Sequence, residues 1–312
     1  MEWRHRHLLG MADLTAAEIK FVLETAGPMK ELLRRPVKKE AVLRGKTIAL
    51  MFYENSTRTR TSFETAGKIL GADVTNFSVA QSSVNKGESL YDTAKTLQAM
   101  AIDLVVIRHA SSGAAAFLAR ELKAAVINGG DGEHAHPTQA LLDFFTLKEK
   151  LGSLTGRKIV IVGDILHSRV ARSNALGLKK LGAEVVLVGP PTLLPPEMGS
   201  LGVKISYDLD RELPGADAVM ALRLQLERQA RGLFPSVREY HRLYGLTKER
   251  LGKTGKETIV LHPGPINRGV EIASDLADSA CSVIEEQVTN GVAVRMALLY
   301  LMLGGGRNLA LD

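Results

Sequence analysis

Short apolar runs alternate with helix-patterned stretches along most of this chain, and that alternation leaves few folds open to it. Runs at 47–54, 73–80, 103–109 and 124–128 are separated by helical stretches near 62–70, 88–101 and 112–123. A second series places strands at 158–163, 184–189, 203–207, 217–222 and 258–262, with helices such as Arg169 to Leu181 and Val237 to Leu251 between them. A run like Thr47 to Tyr53 is apolar throughout rather than at every second position, as in a parallel strand covered on both faces. The spacing therefore predicts an α/β protein of two doubly wound parallel-sheet domains joined by interdomain helices. The 312 residues also exceed the usual reach of one hydrophobic core. The expected domains are 1–134 and 135–292, with a last helix at 293–312 packing back on the first; the apolar run Met296 to Leu303 needs such burial. Near the start, Thr15 and Glu18 have capping-box spacing, and Ile19, Val22, Leu23 and Ala26 follow on one helical face.

Chemistry concentrates where the first of these strands hands over to a helix, at Glu54-Asn55-Ser56-Thr57-Arg58-Thr59-Arg60-Thr61-Ser62-Phe63. First-turn N–H groups have no intrahelical partner and point outward with the positive end of the helix dipole, so such a turn suits an anion. Ser56, Thr57 and Thr59 add hydroxyl donors, and Arg58 and Arg60 add planar forks that match phosphate. Helix capping with two solvated arginines is the plainer alternative.

Composition excludes several classes. The single cysteine, Cys281, permits no internal disulfide or Cys-rich zinc site, and its neighbours make it a small buried residue rather than a nucleophile. The polar start lacks a signal-peptide core, and no stretch is long and apolar enough to cross a bilayer, so a soluble cytoplasmic protein is expected. The net charge of +6 is not organised into basic runs interleaved with aromatics, which argues against nucleic acid; anionic small substrates explain the arginines equally well.

Further clusters sit at strand ends. Ser82 and Lys86 lie in a Gly-containing loop between a strand and a helix, where an ammonium can close over an anion. Arg108 ends a strand at its carboxyl edge, where open parallel sheets bind ligands. His136-Pro137-Thr138-Gln139 opens a helix, bringing His136 and Gln139 to its N-terminus; a metal reading of the upstream Asp131, Glu133 and His134 lacks the spacing of a zinc-binding helix. Gly163-Asp164 follows a strong strand without the further glycines of a dinucleotide site, and Arg169 at the next helix start fits a carboxylate. Arg223 and Gln225 share a face just past another strand, and His262 to Arg268 form a Pro/Gly-braced loop.

The run Ser56-Thr57-Arg58-Thr59-Arg60 resembles the carbamoyl-phosphate signature of the aspartate and ornithine carbamoyltransferases. The order of the other motifs as far as Arg268 is similar to that family, and His-Pro-Thr-Gln resembles its aspartate branch. Ornithine enzymes usually have cysteine at the Thr138 position and a His-Cys-Leu-Pro loop that is absent here. The resemblance implies transfer of the carbamoyl group from carbamoyl phosphate to the α-amino group of L-aspartate, giving N-carbamoyl-L-aspartate and phosphate in pyrimidine synthesis. It implies a carbamoyl-phosphate domain followed by an aspartate domain. Ser56, Thr57, Arg58 and Thr59 would hold phosphate; Arg108, Thr59 and His136 would polarise the carbonyl; Gln139 would orient the carbamoyl nitrogen. Arg169, Arg223, Gln225 and Lys86 would hold the carboxylates of aspartate, and the backbone carbonyls of Pro263 and Gly264 would face the substrate amino groups. Some members have leucine where Gly264 stands, so the local loop shape can differ. The family needs no metal or cofactor at this site. It forms homotrimers in which Ser82 and Lys86 would reach a neighbour's site, and regulatory chains or dihydroorotase remain open as partners. A carbamoyltransferase for another amine, such as ornithine, is the runner-up; a non-catalytic structural subunit of a pyrimidine-pathway assembly is the alternative from outside enzymes.

Overall fold

The computed structural model describes residues 1–78, 88–225, 233 and 235–304. Two compact units partition the chain: unit 1 is Met1–Leu142 with Val288–Asp312, and unit 2 is Asp143–Gln287. In unit 1, strands β1 (Thr47–Phe52), β2 (Asp73–Ser78), β3 (Leu104–His109) and β4 (Ala125–Asp131) form a parallel sheet in the order β2-β1-β3-β4. Helices α1 (Ala16–Arg34), α2 (Thr57–Ile69), α3 (Leu90–Ala99) and α4 (Ala114–Glu121) alternate with these strands in sequence.

Unit 2 contains β5 (Lys158–Val162), β6 (Glu184–Val188), β7 (Lys204–Ser206), β8 (Ala218–Ala221) and β9 (Ile259–Leu261), all parallel in the order β7-β6-β5-β8-β9. Its helices are α6 (Arg169–Lys180), the short α7 (Leu209–Glu212), α8 (Val237–Tyr244), α9 (Lys248–Gly252) and α10 (Ser274–Ala277). The unit boundaries fall inside the remaining helices, α5 (Pro137–Leu151) and α11 (Ile284–Leu303).

Each sheet is pinned at the amino end of its strands by one carboxylate. Asp103, just before β3, accepts from the Thr47 N–H at 2.9 Å and from Lys46 Nζ at 3.0 Å. Asp217, just before β8, accepts from the Lys158 N–H at 2.8 Å, Arg157 Nη1 at 3.0 Å and Lys256 Nζ at 2.9 Å. Both hold a central strand in register with its neighbour and leave the carboxyl ends open for chemistry.

Burial alone would push the Asp217 carboxyl up, but Lys256, the Lys158 N–H and Arg157 together hold it below its ordinary value. The Thr15 N–H and hydroxyl in the α1 capping box hold Glu18 down to about 2. A carboxylate depressed in the fold stabilises it fully above the unfolded-state pKa and loses that contribution as pH falls through the folded value. The thermal midpoint, followed by circular dichroism, is therefore expected to fall continuously between about pH 5 and pH 2. A flat profile across that window would show that these carboxylates do not contribute.

Three features differ from the sequence reading. Helix α2 begins at Thr57, not near residue 62, so Thr57, Arg58 and Thr59 form its first turn. The expected helix from Val237 to Leu251 is broken into α8 and α9. There Gly245 lies against the His241 carbonyl, Leu246 pairs with the Glu271–Ala273 strip, and Thr247 caps a new helix by accepting from the Arg250 N–H at 3.1 Å. Cys281 is half-buried, not buried, with its Sγ 3.1 Å from Ser279 Oγ.

The apolar face of α11 buries Val294, Met296, Ala297, Leu298 and Leu299. Its buried Arg295 stacks over the Phe63 ring of α2, 5.1 Å from the centroid, and reaches Thr138 Oγ1 of α5 at 3.5 Å. The ring face and the hydroxyl are two of the contacts that accommodate this desolvated guanidinium. Among the described residues, no helix is long and apolar enough to cross a membrane.

Candidate active site

In an open parallel sheet, ligands bind at the carboxyl ends of the strands where the strand order reverses direction. In unit 1 that point lies between β1 and β3, because the chain moves outward from β1 to β2 and then returns to the other side of β1. The loop 53–56 and α2 leave β1 here, and Arg108 stands opposite Phe52 on β3. The Tyr53 N–H donates to the Arg108 carbonyl at 2.8 Å, fixing the polar turn beside this arginine.

Ser56 occupies the N-cap in an extended conformation, but its hydroxyl makes no capping bond, and no acidic residue lies in the first turn. The dipole at this helix start is thus met by neither a capping side chain nor a first-turn carboxylate. Arg58 and Arg60 are exposed and Thr59 is buried. Arg108 Nε lies 3.4 Å from Glu54 Oε2, and its Nη1 donates to the Gly129 carbonyl at 3.3 Å. Glu54 and the end of β4 thereby aim the guanidinium.

His136 and Gln139 come to the same unit at the start of α5, and both are buried. The turn that delivers them is built around Asp131. Its carboxylate accepts from the Gly113 N–H at 2.7 Å, the Asn128 amide at 2.7 Å and the Ala135 N–H at 3.1 Å, and lies 3.1 Å from His134 Nδ1. The Asp131–His134 pair is therefore part of a turn brace. Among the described residues, no group of three or more His, Cys, Asp or Glu is arranged to hold a metal ion.

Unit 2 repeats the geometry: its strand order reverses between β5 and β8, and Arg169, Arg223 and Gln225 follow these strands. Gly163 is required there. Its φ is +143°, and a Cβ would lie 2.7 Å from the Leu222 carbonyl oxygen, so only glycine lets the two strand exits approach this closely. Arg169 begins α6 and is only 6% exposed, and Ser168 caps that helix by accepting from the Ala171 N–H at 3.1 Å.

The fully buried Asp164 organises the segment between them. It accepts from the His167 N–H at 3.2 Å and from the Gln225 N–H at 3.4 Å, and lies 2.9 Å from His167 Nδ1. Gln225 Nε2 in turn donates to the His167 carbonyl at 2.9 Å. The Pro263–Gly264 loop leaves the adjacent strand β9, and Asn267 Nδ2 ties it to the Leu224 carbonyl at 3.3 Å. Gly264 has φ +63°, so glycine matches the left-handed backbone this loop adopts.

Every expected site residue except Ser82 and Lys86, which lie outside the described residues, thus stands at a strand or helix end of its own unit. Sequence reading missed the residues that aim them: Glu54, Asn128, Asp131, Asp164 and His167. Three of them stand out in the sequence for other reasons: Glu54 as the first residue of the polar turn, Asp131 in a metal reading that lacks the spacing, and Asp164 for the glycine before it.

Two parallel sheets, each with arginines at its reversal point, are built to bind anionic ligands. The comparison with known proteins agrees. Residues 6–149 match the aspartate/ornithine carbamoyltransferase carbamoyl-P binding domain, and residues 155–302 match the Asp/Orn binding domain. The chain belongs to the aspartate/ornithine carbamoyltransferase family. It is 68% identical over 306 residues to the aspartate carbamoyltransferase catalytic subunit of Desulfitobacterium hafniense, covering 98% of each chain. It is 61% identical over 305 residues to that of Moorella thermoacetica, covering 98% of this chain and 99% of the relative.

Solved structures similar to it include Trypanosoma cruzi aspartate transcarbamoylase in complex with N-(phosphonacetyl)-L-aspartic acid. The TM-score is 0.87 at 28% identity, covering 96% of this chain and 97% of that one. Ornithine carbamoyltransferase from Pyrococcus furiosus is as close in fold, with a TM-score of 0.86 at 30% identity, covering 99% and 100%. The backbone alone therefore does not choose between aspartate and ornithine.

Proposed function

We propose that this chain transfers the carbamoyl group of carbamoyl phosphate to the α-amino group of L-aspartate, giving N-carbamoyl-L-aspartate and phosphate. The observation that carries the choice of amine is the pair of arginines, Arg169 and Arg223, at the exits of adjacent strands in unit 2. A dicarboxylate offers each a partner. The cationic side chain of ornithine would meet like charge, which costs about 4 kcal/mol at 4 Å near a protein surface.

The mechanism asks little covalent chemistry of the protein. The first turn of α2, with Ser56, Thr57, Arg58 and Thr59, holds the phosphate group. Arg108, Thr59 and His136 donate to the carbonyl oxygen, and Gln139 orients the carbamoyl nitrogen. Arg169, Arg223, Gln225 and Lys86 hold the carboxylates of aspartate, while the Pro263 and Gly264 carbonyls accept from the substrate amino groups. The neutral amine attacks the carbamoyl carbon, and negative charge gathers on the oxygen already faced by donors. The C–O bond to phosphate then breaks, and the departing phosphate takes the proton released by the amine. Rate enhancement comes from positioning and electrostatic stabilisation. The product places the reaction in pyrimidine biosynthesis, and the cytoplasm is its expected compartment.

A turnover assay with a panel of amines tests the assignment: aspartate is expected to be carbamoylated and ornithine to give no product above background. Ornithine turnover comparable to that with aspartate would overturn the role given to Arg169 and Arg223.

The active unit in this reading is a cyclic homotrimer, with Ser82 and Lys86 serving the site of the next chain. Head-to-tail closure places one such contact at each interface. Arg58→Ala and Lys86→Ala chains, each inactive alone, should complement when unfolded together and reassembled. Every mixed ring contains one interface where an intact Arg58 meets an intact Lys86, so mixed trimers recover up to about one third of full activity. Verified mixed trimers without activity would place Lys86 in its own chain's site or outside catalysis.

A further inference from the structure

A buried hydrogen-bond chain lies behind the Pro263–Gly264 loop, and the mechanism above uses none of its side chains. At its centre is His262, whose side chain is fully buried. The Gly264 N–H donates to His262 Nδ1 at 2.8 Å, so that nitrogen is the acceptor and the ring proton sits on Nε2. Nε2 faces Glu271 Oε1 at 3.1 Å, and the same oxygen accepts from the Asn267 N–H at 2.6 Å.

The chain continues away from the loop. The His262 N–H donates to Gln287 Oε1 at 2.9 Å, and Gln287 Nε2 donates to Asp143 Oδ1 at 2.7 Å. Asp143 Oδ2 accepts from the Asn174 amide at 2.8 Å, and Asn174 lies on α6, the helix that Arg169 begins.

The Pro263–Gly264 peptide is trans. Across a planar trans peptide the N–H and the preceding C=O point in opposite directions. Holding the Gly264 N–H against His262 therefore turns the Pro263 carbonyl away from the imidazole. We infer that His262 is a positioning residue for the reaction: its Nδ1 sets the direction of the Pro263 carbonyl, and Glu271 holds the imidazole in the tautomer that can do so. This rests on the reading of that carbonyl as an acceptor for a substrate amino group.

Two substitutions separate positioning from packing. Asparagine places an amide oxygen near the Nδ1 position, so His262→Asn keeps an acceptor for the Gly264 N–H but takes a donor from buried Glu271. Glutamine places its NH2 group near Nε2, so His262→Gln keeps the donor to Glu271 but strands the Gly264 N–H. Removing the donor to a buried carboxylate costs more stability than removing the acceptor of a neutral amide N–H. His262→Asn should therefore have the lower thermal midpoint and yet the higher kcat.

For His262→Gln, kcat with aspartate is expected to fall about tenfold to a hundredfold, the scale of a catalytic group displaced by an ångström, with KM for carbamoyl phosphate unchanged. Activity that follows the thermal midpoint, equal losses in both variants, or full activity in both would each overturn the proposal. The unsubstituted protein is the remaining arm. If it fails to carbamoylate aspartate, the functional reading falls; if it works while the crossed ranking is absent, only the role of His262 falls.

Discussion

Arg58→Ala is expected to keep its thermal midpoint within about 2 °C of the parent protein while losing roughly 10²–10⁴ in kcat/KM for carbamoyl phosphate. The stability half follows from position. Arg58 is exposed in the first turn of α2, and alanine is at least as good a helix former. The activity half follows from chemistry. A guanidinium fork can give a phosphate two parallel charge-assisted hydrogen bonds, each contributing about 1.5–3 kcal/mol.

Its loss is not made good nearby. The same helix start has no hydroxyl cap and no first-turn carboxylate, so its dipole remains, but a dipole alone is equivalent to about half a charge. Steady-state kinetics with carbamoyl phosphate varied, alongside thermal unfolding, checks both halves. Near-parental kcat/KM would remove the anion-binding assignment of this turn.

The strands were legible because parallel strands covered on both faces read as unbroken apolar runs, as in Ile48 to Met51 and Ile159 to Val162. The start of α2 was not, because Thr57 and Thr59 are indifferent helix formers whose helical state is set by the strand they follow. The break between α8 and α9 was hidden for a related reason. It depends on Leu246 bridging to Ile272, a contact that no local pattern encodes.

The arginines of both clusters stood out because charge at a strand exit is unusual. Their supports did not. The carboxylate of Asp164 meets the Gln225 N–H across 61 residues, and Arg108 faces Glu54 from a different strand exit. Single acids such as these, fully buried at Asp164 and half-buried at Glu54, become visible only when the fold closes around them. His262 is the same case, since its imidazole is held by Glu271 and its main-chain N–H by Gln287, neither of them part of the loop motif in which it stands.

His136→Ala should lower kcat by about 10²–10³, the usual effect of removing one donor aimed at a developing oxyanion, with little change in affinity for carbamoyl phosphate. The substitution is cleaner than burial of the side chain suggests. The His136 main-chain carbonyl accepts from the Gln139 and Ala140 N–H groups at 3.1 and 3.2 Å, and alanine preserves both bonds, so α5 should still begin at Pro137. The Asp131 brace upstream uses no atom of the imidazole in the bonds that shape the turn. The main-chain bonds that start α5 therefore survive the substitution, which removes the imidazole and leaves a small void. Kinetics should be measured well below the lowered unfolding temperature that such a void produces. Binding energy present equally in substrate and transition state changes KM, whereas a donor that meets charge only as the tetrahedral species forms changes kcat. A variant with parental kcat and weakened carbamoyl-phosphate binding would make His136 a ground-state contact and leave Arg108 and Thr59 as the donors to the oxyanion.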